Sequence, residues 1–215
     1  MQSVKYFNEI AGLWNNIRAD YFEEALKEKI IPSNEIDGKV CADLGCGTGF
    51  VSLELAKKAQ LVFAVDQSKN MLYELNRSAV SVALKNVYPI TGKFENIPLF
   101  DASMDHVFTN MALHHVEDPF QAISEMYRIL KNEGVIHLSD VEAHNGTWAH
   151  EEMYDVWLGF THEQIRTWLV KAGFEQIKIE STGLHCQGYS SKGEYTKTGI
   201  FLATAVKIKG GNDEI

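Results

Sequence analysis

The sequence predicts an α/β fold on a mostly parallel sheet that closes with an antiparallel C-terminal strand. Three observations carry this: five short apolar runs, helical patterns between them, and a final pair of strand-like stretches with no helix between. Residues 40–44, 61–65, 87–90, 107–110 and 135–138 are largely apolar on both faces, as strands covered on both sides require. Strand–helix alternation then selects a parallel sheet. Residues 175–180 and 199–206 follow without helical periodicity, and strands joined by a loop pair more naturally as antiparallel neighbours.

The elements can be justified in order. Near the N-terminus Phe7, Ile10, Trp14 and Tyr21, with Arg18, trace an amphipathic helix outside the core, part of a cap over residues 1–30. Ser68 stands ahead of Met71, Leu72 and Leu75, an N-cap followed by apolar residues at helical spacing. Pro119 opens a helix with Phe120, Ile123, Met126, Tyr127 and Leu130 on one face. Thr161 to Gln164 form a capping-box pattern before Ile165, Trp168 and Leu169, and Gly173 suits the C-terminal cap. Residues 142–160 follow the fifth strand with Trp148, Tyr154 and Trp157, and form a second cap segment. Residues 1–209 thus make one domain, and the glycines and acids of 210–215 read as a disordered tail.

Composition excludes several classes. In 215 residues, 45% are apolar and 23% charged, which fits a globular chain rather than a disordered or fibrous one. The net charge of -9 disfavours a surface that grips phosphate backbones, so no nucleic-acid partner is expected. No apolar run reaches membrane-span length, and a cytoplasmic protein, monomer or homodimer, is expected. Cys41, Cys46 and Cys186 match neither a disulfide framework nor a zinc pattern. His150-Glu151-Glu152-Met153-Tyr154 begins like H-E-x-x-H but has Tyr154 where the second histidine must stand. No metal is expected.

Chemistry concentrates in Asp43-Leu44-Gly45-Cys46-Gly47-Thr48-Gly49, placed after a strand and before a helix. Alternate glycines let the backbone turn tightly and approach a ligand, at the carboxyl edge where open α/β sheets bind small molecules. The third glycine arrives one residue early for the dinucleotide fingerprint, and no Gly-Lys-Ser/Thr follows for a P-loop. Asp43 suits a cationic ligand better than a polyphosphate. Asp66 ends the second strand 23 residues after Asp43, where an acid reaches a ribose diol, and a carboxylate accepts both hydroxyl donors.

Residues 40–49 resemble motif I of the class I S-adenosylmethionine-dependent methyltransferases, in the methyltransferase domain 11 group that includes quinone-biosynthesis enzymes. Asp66-Gln67-Ser68 with Met71-Leu72, the stretch Phe94 to Asp105, Ala112-Leu113-His114-His115-Val116, and Leu169 to Phe174 continue the resemblance over roughly residues 38–205. It implies a Rossmann-like three-layer α/β/α sandwich with a seven-stranded, mostly parallel sheet. It implies S-adenosylmethionine as cofactor and a small-molecule methyl acceptor as partner. Asp43, Gly45, Cys46, Gly47, Thr48 and Gly49 then form the cofactor loop, the glycines facing its amino-acid part. Asp66 holds the ribose, while Gln67 and Met71 line the adenosine. Lys93, Phe94 and Glu95 stand where relatives carry an acid–apolar pair near the adenine. Asn110 and Met111 lie beside the sulfonium, and the N-terminal helix, through Trp14 and Arg18, covers the cofactor.

A catalytic base is needed only for an acceptor protonated at neutral pH. His115, Asp140 and His144 are the candidates, at or just past strand ends, and position does not choose among them. A non-catalytic module that binds the same cofactor remains the alternative, since fold does not decide function.

Overall fold

The computed structural model describes residues 2–32 and 34–208, so the tail from residue 210 lies outside the described residues. Seven strands, β1 (Val40–Leu44), β2 (Leu61–Asp66), β3 (Val87–Thr91), β4 (Met104–Asn110), β5 (Leu130–Val141), β6 (Phe174–Tyr189) and β7 (Tyr195–Lys207), form one sheet. Their order is β3-β2-β1-β4-β5-β7-β6. The first five run parallel, and β7 runs antiparallel to both its neighbours. The chain winds outward from β1 to β3 and then returns to place β4 beside β1. That reversal opens a crevice at the carboxyl ends of β1 and β4, the usual ligand position in such sheets.

Both faces of the sheet are buried, which explains the unbroken apolar runs. Neighbouring residues alternate sides: Ala42, Val107 and Phe201 join one core cluster, and Cys41, Phe108 and Ile200 join the other. On the first face pack α6 (Pro119–Ile129) and α8 (His162–Ala172), through Ile123, Met126, Ile165 and Leu169. On the second lie α3 (Leu26–Ile30) and α4 (Ser52–Leu55), through Leu26, Ile30 and Leu55.

The expected helix signals are in place. Ser68 Oγ accepts from the Met71 N–H at the start of α5 (Lys69–Ser81). Asp118 caps α6 with Pro119 in its first turn. Thr161 and Gln164 make the reciprocal capping box of α8, and Gly173 ends it at φ +98°, a left-handed conformation that glycine adopts without a Cβ clash.

Two expectations change. The N-terminal cap is not one helix but α1 (Gln2–Ile10), a 3-10 turn (Ala11–Leu13) and α2 (Trp14–Tyr21), followed by α3. Gly12 lies in the tight turn, where its low helix propensity favours a break. The final strands also run past 175–180 and 199–206: His185 to Tyr189 pair with Gly199 to Tyr195. This outer hairpin is polar and half exposed, so it carries no apolar signature; its register shifts between Ser181 and His185. Among the described residues no helix is long and apolar enough to cross a membrane, and the three cysteines are free.

Beneath the second face two histidines share one hydrogen bond, His106 Nδ1 and His137 Nε2 lying 3.0 Å apart. The His137 ring stacks on Phe108 with 4.4 Å between centroids. Burial holds the His106 pKa below its ordinary value, and burial with the His106 charge pushes His137 down to about 3. Both are therefore neutral in the folded protein at pH 7. As pH falls from about 6.5 toward 3 the unfolded chain takes up a proton that His137 refuses, so stability falls by up to about 1.4 kcal/mol per pH unit, and the lowered His106 adds to the loss in the same direction. Urea unfolding across this range should show that loss, and His137→Phe should shallow the slope by about one proton. An unchanged slope would mean the pair does not govern acid stability.

Candidate active site

The glycine loop after β1 is tied to β2 by the N–H groups of Gly45 and Cys46, which donate to the Val65 carbonyl at 2.8 and 3.2 Å. Gly45 has φ +65°, and a Cβ there would lie 2.5 Å from the Ala112 Cβ and 3.0 Å from the Phe94 ring. Gly49 turns the other way: its Cβ would stand 2.1 Å from Leu75 Cδ1. Gly49 therefore admits α5 to the sheet and does not line the pocket, unlike its expected role.

Asp66 braces the loop. Its carboxylate accepts from the Gly47 N–H at 2.9 Å and from the Ser68 N–H at 2.8 Å, and both oxygens keep capacity for further donors. Burial lifts its pKa while those backbone bonds resist the rise. Asp43, wholly buried, accepts from Ser52 Oγ, and burial lifts its carboxyl to about 7.

The N-terminal segment closes over this loop. Asn15 Oδ1 accepts from Thr48 Oγ1 at 2.7 Å, and Asn8 Oδ1 accepts from Ser68 Oγ and the Asn70 N–H. The Trp14 indole lies over Gly47, its Nε1 3.5 Å from where a Cβ would be. Arg18 is buried, with its guanidinium 4.2 Å from the Phe50 ring centroid and Nη2 bonded to Glu24. Its Nε and Nη1 have no partner. The sequence carried no signal for Asn8 and Asn15, since exposed asparagines in a helix are ordinary.

One pocket runs from this loop to the far side of the sheet edge. Asp43, Gly45, Cys46, Gly47, Thr48, Asp66, Gln67 and Met71 line it with Lys93, Phe94, Asn110 and Met111. Trp14, Arg18, His115 and His144 line it too, whereas Glu95 and Gly49 do not. Asn110 is held by Ser139 Oγ at 2.8 Å.

The polar end of the pocket centres on His114, which the sequence reading passed over for its neighbour. Asp140, fully buried, places Oδ1 2.6 Å from His114 Nδ1 and accepts from the His114 N–H at 3.2 Å. Asp140 does not line the pocket and acts on it through His114. The opposite ring nitrogen, Nε2, lies 3.8 Å from Asp155 Oδ1, and His115 Nδ1 lies 3.4 Å from the same oxygen. Burial pulls the His114 pKa down, but the Asp140 and Asp155 carboxylates overcome it and raise it to about 9. Burial and the His114 charge push His115 well down, and burial raises Asp155. His144 is lowered by burial and by His114, and its Nδ1 accepts from the Gly146 N–H.

Asp155 also escaped the sequence reading. Tyr154 before it has φ +60°, and the N–H groups of Val156 and Trp157 after it both donate to the His114 carbonyl at 3.0 Å. The loop is thereby clamped to the histidine pair.

The remaining wall comes from α7 (Trp148–Glu152) and the outer β6–β7 hairpin. Trp148 Nε1 donates to Thr196 Oγ1 at 2.9 Å and Tyr21 OH to Met153 Sδ at 3.3 Å. Gly188 lets both rings lie against the hairpin; a Cβ there would be 2.7 Å from Tyr21 Cε1. Cys186 faces the pocket, but burial raises its thiol to about 12, which keeps it protonated at neutral pH.

Residues 42–138 match the family described as Methyltransferase domain. The matched stretch runs from β1 into β5 and holds the glycine loop and Asp66, so this part of the chain is similar to the class I S-adenosylmethionine-dependent methyltransferases of that group. It is 30% identical over 172 residues to 2-methyl-6-phytyl-1,4-hydroquinone methyltransferase 1, chloroplastic, of Oryza sativa subsp. japonica, covering 78% of this chain and 51% of that one. It is 25% identical over 179 residues to the tRNA U34 carboxymethyltransferase of Hahella chejuensis, covering 79% and 55%. The chain thus spans about half the length of these curated relatives. The fold matches the YcgJ protein of Bacillus subtilis at TM-score 0.72 and 18% identity, over 86% of this chain and 98% of that one.

Two outcomes follow for the cofactor loop. Gly45→Ala should weaken S-adenosylhomocysteine binding about tenfold or more, because the new Cβ meets Ala112 in a left-handed conformation; unchanged calorimetric affinity would refute this. S-adenosylmethionine affinity should rise with pH up to about 7 and then level, since a cation favours ionised Asp43 and must expel its proton below that pH. Calorimetry in buffers of different ionisation enthalpy reads the released proton, and Asp43→Asn should abolish the step.

Proposed function

We propose that this protein transfers the methyl group of S-adenosylmethionine to a small, mainly apolar acceptor bearing one ionisable hydroxyl or thiol. The observation that carries the reading is a single pocket with the Gly45–Gly47 loop and Asp66 at one end and the Asp140-held His114 at the other. The residues present fit the cofactor. A Cβ at Gly45 would fill the cradle, and Arg18 offers two buried, unpartnered guanidinium nitrogens to a carboxylate.

In this reading Asp66 receives the ribose hydroxyls and Arg18 the methionyl carboxylate. Gln67, Met71, Lys93 and Phe94 surround the adenosine, and Asn110 and Met111 lie beside the sulfonium. When bound, the cofactor supplies a methyl group on a sulfonium, already a good leaving group. The protein's main task is then to align acceptor and methyl, at roughly 3–3.5 Å. Tyr21, Trp148 and Met153 hold the apolar body, while His114, His115 and Asp155 hold the nucleophilic end. His144 stands at the rim, and Asp140 positions His114.

The rice relative's name specifies a hydroquinone, and a flat aromatic hydroxyl suits a pocket with these walls. Arg18 and Lys93 are the only arginine and lysine lining it among the described residues, which supports a small acceptor over nucleic acid. A cytoplasmic monomer or homodimer belongs to the same reading.

Acceptor-dependent formation of S-adenosylhomocysteine from a panel of phenols, hydroquinones and thiols tests the proposal. Turnover with at least one hydroxyl or thiol class is expected; cofactor binding with no turnover on any would favour a binding module. Asp66→Ala and Arg18→Met should each weaken cofactor binding by about 1–3 kcal/mol, the range for losing a charged hydrogen-bond partner. Unchanged affinity in both would remove the cofactor assignment.

A further inference from the structure

We infer that His114, His115 and Asp155 form a binding site for one divalent transition-metal ion, with an open coordination position facing the acceptor. No metal is expected from the sequence, because the cysteines match no zinc pattern and Tyr154 stands where H-E-x-x-H needs its second histidine; His114 and Asp155 stand 41 residues apart along the chain. The fold brings one donor atom from each of the three within 4.8 Å of the others.

The geometry is close to that of a coordination shell. Tetrahedral zinc with bonds of 2.0–2.1 Å sets its ligand atoms about 3.3 Å apart. Asp155 Oδ1 lies 3.4 Å from His115 Nδ1 and 3.8 Å from His114 Nε2. The first separation nearly matches that spacing, and the second needs a contraction of about half an ångström.

Asp155 adds an independent sign. Its side chain is 10% exposed, yet Oδ1 is buried without a hydrogen-bond partner, an arrangement that costs free energy unless something fills it. His114 is prepared as a ligand in another respect. Asp140 Oδ1 sits 2.6 Å from Nδ1, the carboxylate–histidine pairing that fixes the ring and turns the other nitrogen toward a metal. The clamp of Val156 and Trp157 on the His114 carbonyl holds the three ligands together before any ion arrives.

Two imidazoles and one carboxylate leave a fourth position open, as in catalytic rather than structural zinc sites. All three residues line the pocket, so that position points at the proposed acceptor. An acceptor hydroxyl or thiol ligating there releases its proton to solvent. Its oxygen or sulfur then forms the bond to the methyl carbon, and the sulfonium S–CH3 bond breaks with its electron pair going to sulfur. This role rests on the methyl-transfer reading; the ion site itself does not.

The test is titration of Zn2+ into the full-length chain, free of any histidine tag, followed by S-adenosylhomocysteine titration of the same protein. One equivalent of Zn2+ should bind. His114→Gln and Asp155→Asn should lower its affinity roughly 100-fold or more, and Asp140→Asn, which reaches the site only through His114, about 10- to 100-fold. S-adenosylhomocysteine should still bind Asp155→Asn, showing that the variant is folded. Absence of stoichiometric Zn2+, or equal Zn2+ affinity in Asp155→Asn, overturns the site. Failure of wild-type protein to bind S-adenosylhomocysteine instead removes the methyl-transfer reading and leaves the zinc result standing.

Discussion

The Asp66 carboxylate, accepting from the Gly47 N–H and the Ser68 N–H, holds the cofactor half of the structure together. It joins the loop after β1 to the start of α5, two segments that separately would be a glycine turn and a helix cap. Because it ends β2, hydrogen-bonded beside β1 in the sheet, its position follows from strand pairing rather than from side-chain freedom. The N-terminal cover then anchors on the same two elements, Asn15 on Thr48 and Asn8 on Ser68. Cover, loop and helix start thus form one connected hydrogen-bonded unit around the crevice.

The half proposed to receive the acceptor is built differently. β5 extends to Asp140 and Val141, the 3-10 turn Leu113–His115 presents the histidines, and the Asp155 loop bonds back to His114. The outer β6–β7 hairpin and α7 close the wall. These pieces come from three separate stretches of the chain: the turn at 113–115, the run from β5 through α7 to residue 157, and the outer hairpin. What unites them is Asp140, which has no exposed surface and satisfies its oxygens on His114 and on the Val141 N–H. A buried carboxylate so placed fixes the imidazole orientation, because any other ring angle leaves it without that partner.

The two halves face opposite demands. The loop must approach its ligand with bare backbone, so glycine and positive φ dominate there. At the histidine end titratable groups crowd into a partly apolar space, so burial and neighbouring charges displace the proton affinities of His114, His115 and Asp155 in different directions. Such displacement concentrates where groups are held for a task other than folding.

By itself the sequence determined the parallel sheet, the antiparallel C-terminal strand, the starts of α5, α6 and α8, and the glycine loop and Asp66 at neighbouring strand ends. These rest on local rules, namely burial on both strand faces, side-chain oxygens at helix starts, and glycines at a strand end. Tertiary structure alone decided which of two adjacent histidines turns inward, since the 3-10 turn sends His114 to Asp140 and leaves His115 against Phe7. It also decided that Gly49 serves the packing of Leu75 and that Asp155 joins the site. It extended β6 and β7 into a polar hairpin whose register is shifted from that of the inner part of the pair. In each case the outcome depends on what another segment brings to the residue, and that information is not present in the residue's own neighbours along the chain.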